Sequence, residues 1–144
     1  MKLSTKSRYA VEGMVYLAIY SPLKPMRIKQ IAQDTNITVA YLEQIFFLLK
    51  KAGLLLTVRG AKGGFLLAQS TKDITVGRIL RAIEQELAPV KCVYHLEECT
   101  SKTRASCVSR QIWMRMTEAM EQTADRITLQ ELAEKYRTEQ GVAL

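Results

Sequence analysis

Between Leu55 and Ala68 the hydrophobic pattern leaves helical spacing. Leu55-Leu56-Thr57-Val58-Arg59 and Phe65-Leu66-Leu67-Ala68 are short apolar runs flanking Gly60-Ala61-Lys62-Gly63-Gly64. Runs of this length around a glycine-rich turn that needs positive φ predict a β-hairpin. What precedes it is helical. Tyr9, Ala10, Met14, Leu17 and Ala18 recur at helical spacing over Ser7–Tyr20, with Thr5 as the expected cap and Ser21-Pro22 as the stop. Beyond a linker holding Pro22 and Pro25, Ile28, Ile31 and Ala32 predict a short second helix ending near Thr35-Asn36. Thr38 then caps a third helix over Val39–Ala52, which buries Leu42, Ile45, Phe46 and Leu49 and stops at Gly53. Two short helices joined by a tight turn make a helix-turn-helix or, taken alone, an ordinary helical hairpin. The β-hairpin that follows reads as a wing.

The second half supplies helices of another kind. Thr75 opens a fourth helix through Gln85 with Val76, Ile79, Leu80 and Ile83 inward, and Pro89 ends the segment. Residues 90–106 show no sustained periodicity and read as a loop of about 15 residues, long enough to suggest a functional element. From Cys107 a long helix resumes, with Ile112, Met116, Ala119, Met120 and Thr123 at 3–4 spacing beside Trp113. Running from Val108 to about Ala124 it spans roughly 25 Å, more than a small winged domain needs, so part of its apolar stripe is expected to meet a second copy. Thr128-Leu129-Gln130-Glu131 is a capping box for a last short helix. The expected fold is mainly α. Residues 1–88 form a winged helix-turn-helix DNA-binding domain, 89–107 a cysteine-containing loop, and 108–144 a dimerisation helix with a C-terminal helix.

Charge follows the same division. Residues 1–72 hold eleven Lys/Arg against three acids, whereas residues 73–144 hold ten against eleven, so the whole excess of +7 lies in the first half. A half-domain that repels itself this strongly suits a polyanion, because each neutralised phosphate releases condensed counterions; a generally solubilising surface is the bland alternative. In the wing, Arg59 and Lys62 flank glycines that allow close approach to a phosphate backbone, and a guanidinium can enter a narrow minor groove. A nucleotide-phosphate cradle is excluded, since GAKGG lacks the Walker spacing and is followed by a strand. No apolar run approaches the roughly 18 residues of a membrane span, and the basic start leads to Arg8 and Glu12 instead of an apolar leader, so a cytoplasmic location is expected.

All three cysteines, Cys92, Cys99 and Cys107, fall within the irregular segment or at its edge. Soft thiolates gathered on a loop in a reducing compartment suit zinc, Cu(I) or iron–sulfur iron better than a disulfide. The spacing lacks the tight knuckles of a zinc ribbon. His95, the single histidine, lies inside the loop beside Glu97 and Glu98, as a solvated side chain or a fourth ligand. A cysteine nucleophile with His95 as base lacks an orienting acid and an oxyanion motif, so no enzyme is expected.

The stretches Met-Lys-Leu-Ser-Thr-Lys-Ser-Arg-Tyr-Ala-Val at the start, Tyr41-Leu42-Glu43-Gln44-Ile45, Val58-Arg59-Gly60-Ala61-Lys62-Gly63-Gly64-Phe65, Ile74-Thr75-Val76-Gly77 and Ile127-Thr128-Leu129 together resemble the Rrf-two superfamily of winged-helix transcription factors, in particular its iron–sulfur cluster regulator (IscR) type. The resemblance implies a homodimer on a pseudo-palindromic double-stranded DNA operator, paired through the long helix. It places Thr38, Tyr41, Glu43 and Gln44 of the recognition helix and Arg59, Gly60 and Lys62 of the wing at DNA, and Cys92, Cys99 and Cys107 on a 2Fe-2S cluster. Gln44 fits an adenine edge and Glu43 fits cytosine or repels the wrong base. Three positions depart from the pattern. Arg110 stands where the enterobacterial type has histidine, and a guanidinium cannot ligate iron. The fourth ligand is therefore unassigned among His95, Glu97, Glu98, a partner-subunit group and a solvent-derived or small-thiol ligand. Ala40 replaces a frequent serine, and Arg8 stands where nitric-oxide-sensing relatives have aspartate. The similar cysteine-metabolism repressors lack the cysteine triad. The competing expectation is a cluster-free regulator on the same scaffold that responds to thiol redox state, a small ligand or a metabolic-enzyme partner bound through the wing.

Overall fold

The computed structural model describes residues 3–141. Its order is α1 (Thr5–Tyr20), α2 (Ile28–Thr35), α3 (Val39–Lys51), β1 (Leu55–Val58), β2 (Gly64–Leu67), α4 (Val76–Glu84), α5 (Val108–Arg126) and α6 (Leu129–Glu139). Between α4 and α5 the segment expected to be irregular is organised into three 3-10 turns, Lys91–Val93, Leu96–Glu98 and Arg104–Ser106.

The caps explain where the helices start. Ser4, not Thr5, caps α1: its hydroxyl accepts from Ser7 N at 3.1 Å, and Thr5 is already helical. A one-residue shift of this kind follows from having two hydroxyl residues in sequence, either of which can reach an orphan N–H. Asn36 at φ 56° ends α2 in the left-handed region, and Thr38 caps α3 by accepting from Tyr41 N at 3.3 Å, so the turn of the helix-turn-helix is set by one left-handed backbone position and one hydroxyl cap. Thr75 caps α4 by accepting from Arg78 N, and Thr128 caps α6 by accepting from Glu131 N, the hydroxyl half of the expected box.

One core serves the whole winged domain. Ala10, Met14 and Leu17 of α1, Ile31 of α2 and Leu42, Ile45, Phe46 and Leu49 of α3 are buried together with Leu54, Leu55, Ile79 and Leu129. The hairpin is antiparallel with Leu55 opposite Leu67 and Val58 opposite Gly64. Its other edge is covered by a bridge that the linker pattern does not announce: Met26 N donates to Phe65 O and Phe65 N to Met26 O, both at 2.8 Å. Gly64 permits this, since it sits at φ 145° and a Cβ there would lie 2.2 Å from the Met26 carbonyl oxygen.

The C-terminal helices close back on this domain. α5 lies on α4, where Ala124 packs with Leu80 and Leu87, and the Asp125 carboxylate pairs with Arg81. A bridge between Thr75 and Thr128 fixes the far end of α5 to the start of α4. α6 returns to α1, burying Leu129 and Ala133, and Arg137 Nη2 donates to the Ile19 carbonyl at 3.1 Å in the last turn of α1. No helix among the described residues is long and apolar enough to cross a membrane.

Glu84 of α4 locks the start of α1. Its Oε1 accepts from the fully buried Ser7 hydroxyl at 2.6 Å and from Ser4 N at 2.9 Å. Burial pushes the Glu84 carboxyl up, but the bonds from Ser4 and Ser7 outweigh it and hold the group below the usual carboxylate value. Glu84→Ala should cost about 1–3 kcal/mol in urea unfolding, because it leaves the Ser7 hydroxyl buried without an acceptor. Since the folded pKa is depressed, this contribution is present above the unfolded value and lost as pH falls through the folded one. The stability gap between wild type and Glu84→Gln should therefore narrow on acidification through the carboxylate range.

Candidate functional site

Burial of Leu42, Ile45, Phe46 and Leu49 turns the opposite face of α3 to solvent, where Ala40, Glu43, Gln44, Phe47 and Lys51 are exposed. Thr38 is exposed at the N-terminus of the helix. Tyr41 is half-buried, its ring edge-on to Tyr9 with centroids 5.6 Å apart, so it presents only part of itself. Arg59, Gly60 and Lys62 are exposed at the hairpin tip. Gly60 there adopts φ 102°, the left-handed region that glycine tolerates best.

Two cations that sequence reasoning did not single out position these groups. Arg27 donates to the Ala61 carbonyl and holds the wing tip. Lys50 Nζ donates to Thr57 Oγ1 at 2.8 Å, tying the end of α3 to β1. The exposed Phe47 was also missed, although its adjacency to Phe46 was a usable signal: at 3.6 residues per turn only one of two neighbours can share a face with Leu42 and Leu49. An exposed helix carrying an amide and a carboxylate, next to a cationic glycine-rich hairpin, has the chemistry to read base edges and hold phosphates.

Cys92, Cys99 and Cys107 line one cleft of about 520 Å³, together with Glu98, Arg110 and Trp113. Cys92 sits in the first 3-10 turn, the buried Cys99 follows the second, and Cys107 is the N-cap residue of α5. The Arg110 backbone N–H, in the first turn of α5, holds the Cys107 thiol below its ordinary pKa. Burial opposes this, while the Ser101 hydroxyl, the Cys99 thiol and the Ser109 N–H add to it. Among the described residues no group of three or more His, Cys, Asp or Glu side chains is gathered closely enough to hold a metal ion.

Arg110 is occupied structurally: Nε donates to the Cys92 carbonyl at 2.6 Å and Nη2 to the Val93 carbonyl at 3.1 Å. His95 engages Glu86 through Nε2 and Glu97 through Nδ1. Its pKa is raised by the hydrogen bond and charge of Glu86, with a smaller push from Glu97. Of the candidates for a fourth ligand on this chain, only Glu98 lines the cleft.

α5 carries two apolar faces instead of the single stripe expected. Trp113, Thr117, Met120 and Ala124 turn inward, whereas Val108, Ile112, Met116, Ala119 and Thr123 are exposed along the other side. Met120 thus belongs to the intramolecular face, a distinction of about one helical position that spacing alone blurs. In metal-free protein at neutral pH, alkylation followed by peptide mass spectrometry should label Cys107 ahead of the buried Cys99; equal rates would contradict the assigned environments.

The comparisons agree with this geometry. The Rrf2 family model, described as "Iron-dependent Transcriptional regulator", matches residues 3–135. The chain is 36% identical over 132 residues to the HTH-type transcriptional regulator IscR of Vibrio atlanticus, covering 92% of this chain and 75% of that protein. Among solved structures it superposes on CymR, the global cysteine regulator of B. subtilis, with TM-score 0.77 and 34% identity, covering 94% of this chain and 98% of that one. On T. potens IscR the TM-score is 0.76 at 33% identity, with 97% and 91% covered. The winged helix-turn-helix with its long α5 is the architecture of these relatives, and the chain belongs to the Rrf2 family of transcriptional regulators.

Proposed function

We propose that the chain is a cytoplasmic, homodimeric DNA-binding regulator that acts chiefly as a repressor, whose operator affinity responds to the state of Cys92, Cys99 and Cys107. The observation that carries the DNA reading is the exposed face of α3 next to the cationic wing. In this reading residues 1–88 contact DNA, 89–107 sense and 108–144 pair the subunits. Gln44 and Glu43 address base edges, Thr38 and Tyr41 approach the backbone, and Arg59 enters the minor groove while Gly60 and Lys62 lie against phosphates.

Cys92, Cys99 and Cys107 line one cleft without all three being drawn to ligating distance of one another, and their soft thiolates are the donor type that would hold a 2Fe-2S cluster once the loop closed on it. When bound, such a group supplies a charge and ligation state that changes with iron supply and oxidation. Arg110 supplies no ligand, because its guanidinium has no free lone pair and clamps two loop carbonyls instead. In this reading a change at the loop passes toward α1, which packs under α3, through a series of contacts. Cys107 starts α5, Asp125 of α5 pairs with Arg81 of α4, and Glu84 of α4 holds the first turn of α1. The two recognition helices must match half-sites about 34 Å apart, so a small rotation of α5 suffices to change affinity. The same cleft favours a second reading, a cluster-free thiol sensor, because Cys107 is acid-shifted and Arg110 takes the fourth-ligand position.

Three measurements test this account. Protein purified without oxygen should be coloured and should lose its visible absorption when the three cysteines are replaced by alanine; colourless, iron-free protein would leave the thiol reading. In a mobility shift Arg59→Ala should weaken operator binding by about 1–3 kcal/mol, and Lys62→Ala should weaken all duplexes alike with a shallower salt slope. Failure of both would overturn the role of the wing. Ile112→Asp combined with Met116→Asp should yield a monomer by sedimentation, whereas an unchanged dimer would show that pairing lies elsewhere.

A further inference from the structure

The proposed role of α3 leaves one side chain unexplained. Phe47 is 64% exposed, while its neighbour Phe46 is fully buried. Ala40, Gln44, Phe47 and Lys51 follow one another at i, i+4, i+7 and i+11, which places them in a single exposed stripe. Lys6 of α1 joins Ala40, Gln44 and Phe47 in lining a shallow groove of about 570 Å³. The aromatic ring is therefore framed by an amide and by ammonium groups.

An apolar helix face framed in this way has several conceivable occupants, and the charge decides among them. Lys50 and Lys51 are exposed, Lys6 is half-buried beside the ring, Arg59 and Lys62 stand on the adjacent hairpin, and Glu43 is the one acid on the exposed side of α3. Positive charge around a single apolar group matches the major groove of duplex DNA, where phosphates border the groove and the thymine C5-methyl is the apolar group on its floor. Three residues of helix rise about 4.5 Å, close to the roughly 3.4 Å between successive base pairs, so Gln44 and Phe47 can address neighbouring pairs.

We infer that Phe47, flanked by Ala40, is a specificity-determining residue that reads the C5-methyl of a thymine next to the base pair addressed by Gln44. The inference rests on α3 being the recognition helix.

The test uses the full-length protein and duplexes that it enriches from a randomised pool. Each thymine of an enriched duplex is replaced singly by deoxyuridine, which removes the methyl group and leaves every hydrogen-bonding atom. Wild type should bind about fourfold more weakly when the critical thymine of one half-site is replaced, the value of one buried methyl group. Phe47→Ser should bind thymine and deoxyuridine duplexes equally and keep the thermal melt of wild type, since the ring is exposed. Arg59→Ala, though weaker overall, should retain the thymine-to-deoxyuridine ratio. Wild-type binding that ignores every replacement, or a ratio that survives in Phe47→Ser, would overturn the inference. A pool from which nothing is enriched would overturn the reading of α3 itself.

Discussion

The burial of Leu42, Ile45, Phe46 and Leu49 against α1 and the hairpin is the constraint on which the rest of the molecule depends. A helix can bury one stripe, and choosing that stripe also chooses what the opposite face offers to solvent. Phe46 meets Phe65 of β2 edge-on, with centroids 5.0 Å apart, so the contact that seats α3 also seats the wing. Met26 bridging Phe65 from the other side makes the linker after α1 part of the same joint. The groups proposed to face DNA therefore project from two elements that share a core, and neither can turn independently at small energetic cost.

The C-terminal helices extend that joint toward the cysteines. α6 contributes Leu129 and Ala133 to the core and caps α1 through Arg137, whereas α5 touches the domain through α4 and leaves its Val108–Ile112–Met116 side uncovered. A helix with one face on its own domain and another apolar face in water is suited to transmit a change at one end. Cys107 occupies that end as the capping residue of α5, where a thiolate is favoured by the first-turn N–H groups. In the proposed reading, ligation or oxidation there would act on the first turn of the helix that carries the exposed stripe.

Much of this was legible in the residues. The break from helical spacing to short apolar runs around Gly60–Gly64, together with Thr38 and Gly53 as punctuation, locates the helix-turn-helix and the hairpin to within about a residue or two. Less legible was anything settled by contacts between distant segments. The Met26 edge pairing depends on backbone hydrogen bonds that carry no side-chain pattern. The Glu84–Ser7 lock joins groups 77 residues apart. Ser4 replaced Thr5 as the cap because two hydroxyls compete for the same N–H groups. At the cysteines, spacing places three thiols in one segment, but the diversion of His95 to Glu86 and Glu97 and of Arg110 to two carbonyls emerges only when the turns are in place. The two faces of α5 lie too close in helical phase for a stripe of mixed Met, Ala and Thr to separate them.

Hydroxyl-radical footprinting on an enriched duplex reports most directly on whether a symmetric pair of chains presents α3 and the wing to DNA. The account predicts two protected patches related by a two-fold axis and separated by about one helical turn, roughly 34 Å, with extra protection in the flanking minor grooves where the wings lie. A single protected patch, or protection without that symmetry, would contradict it.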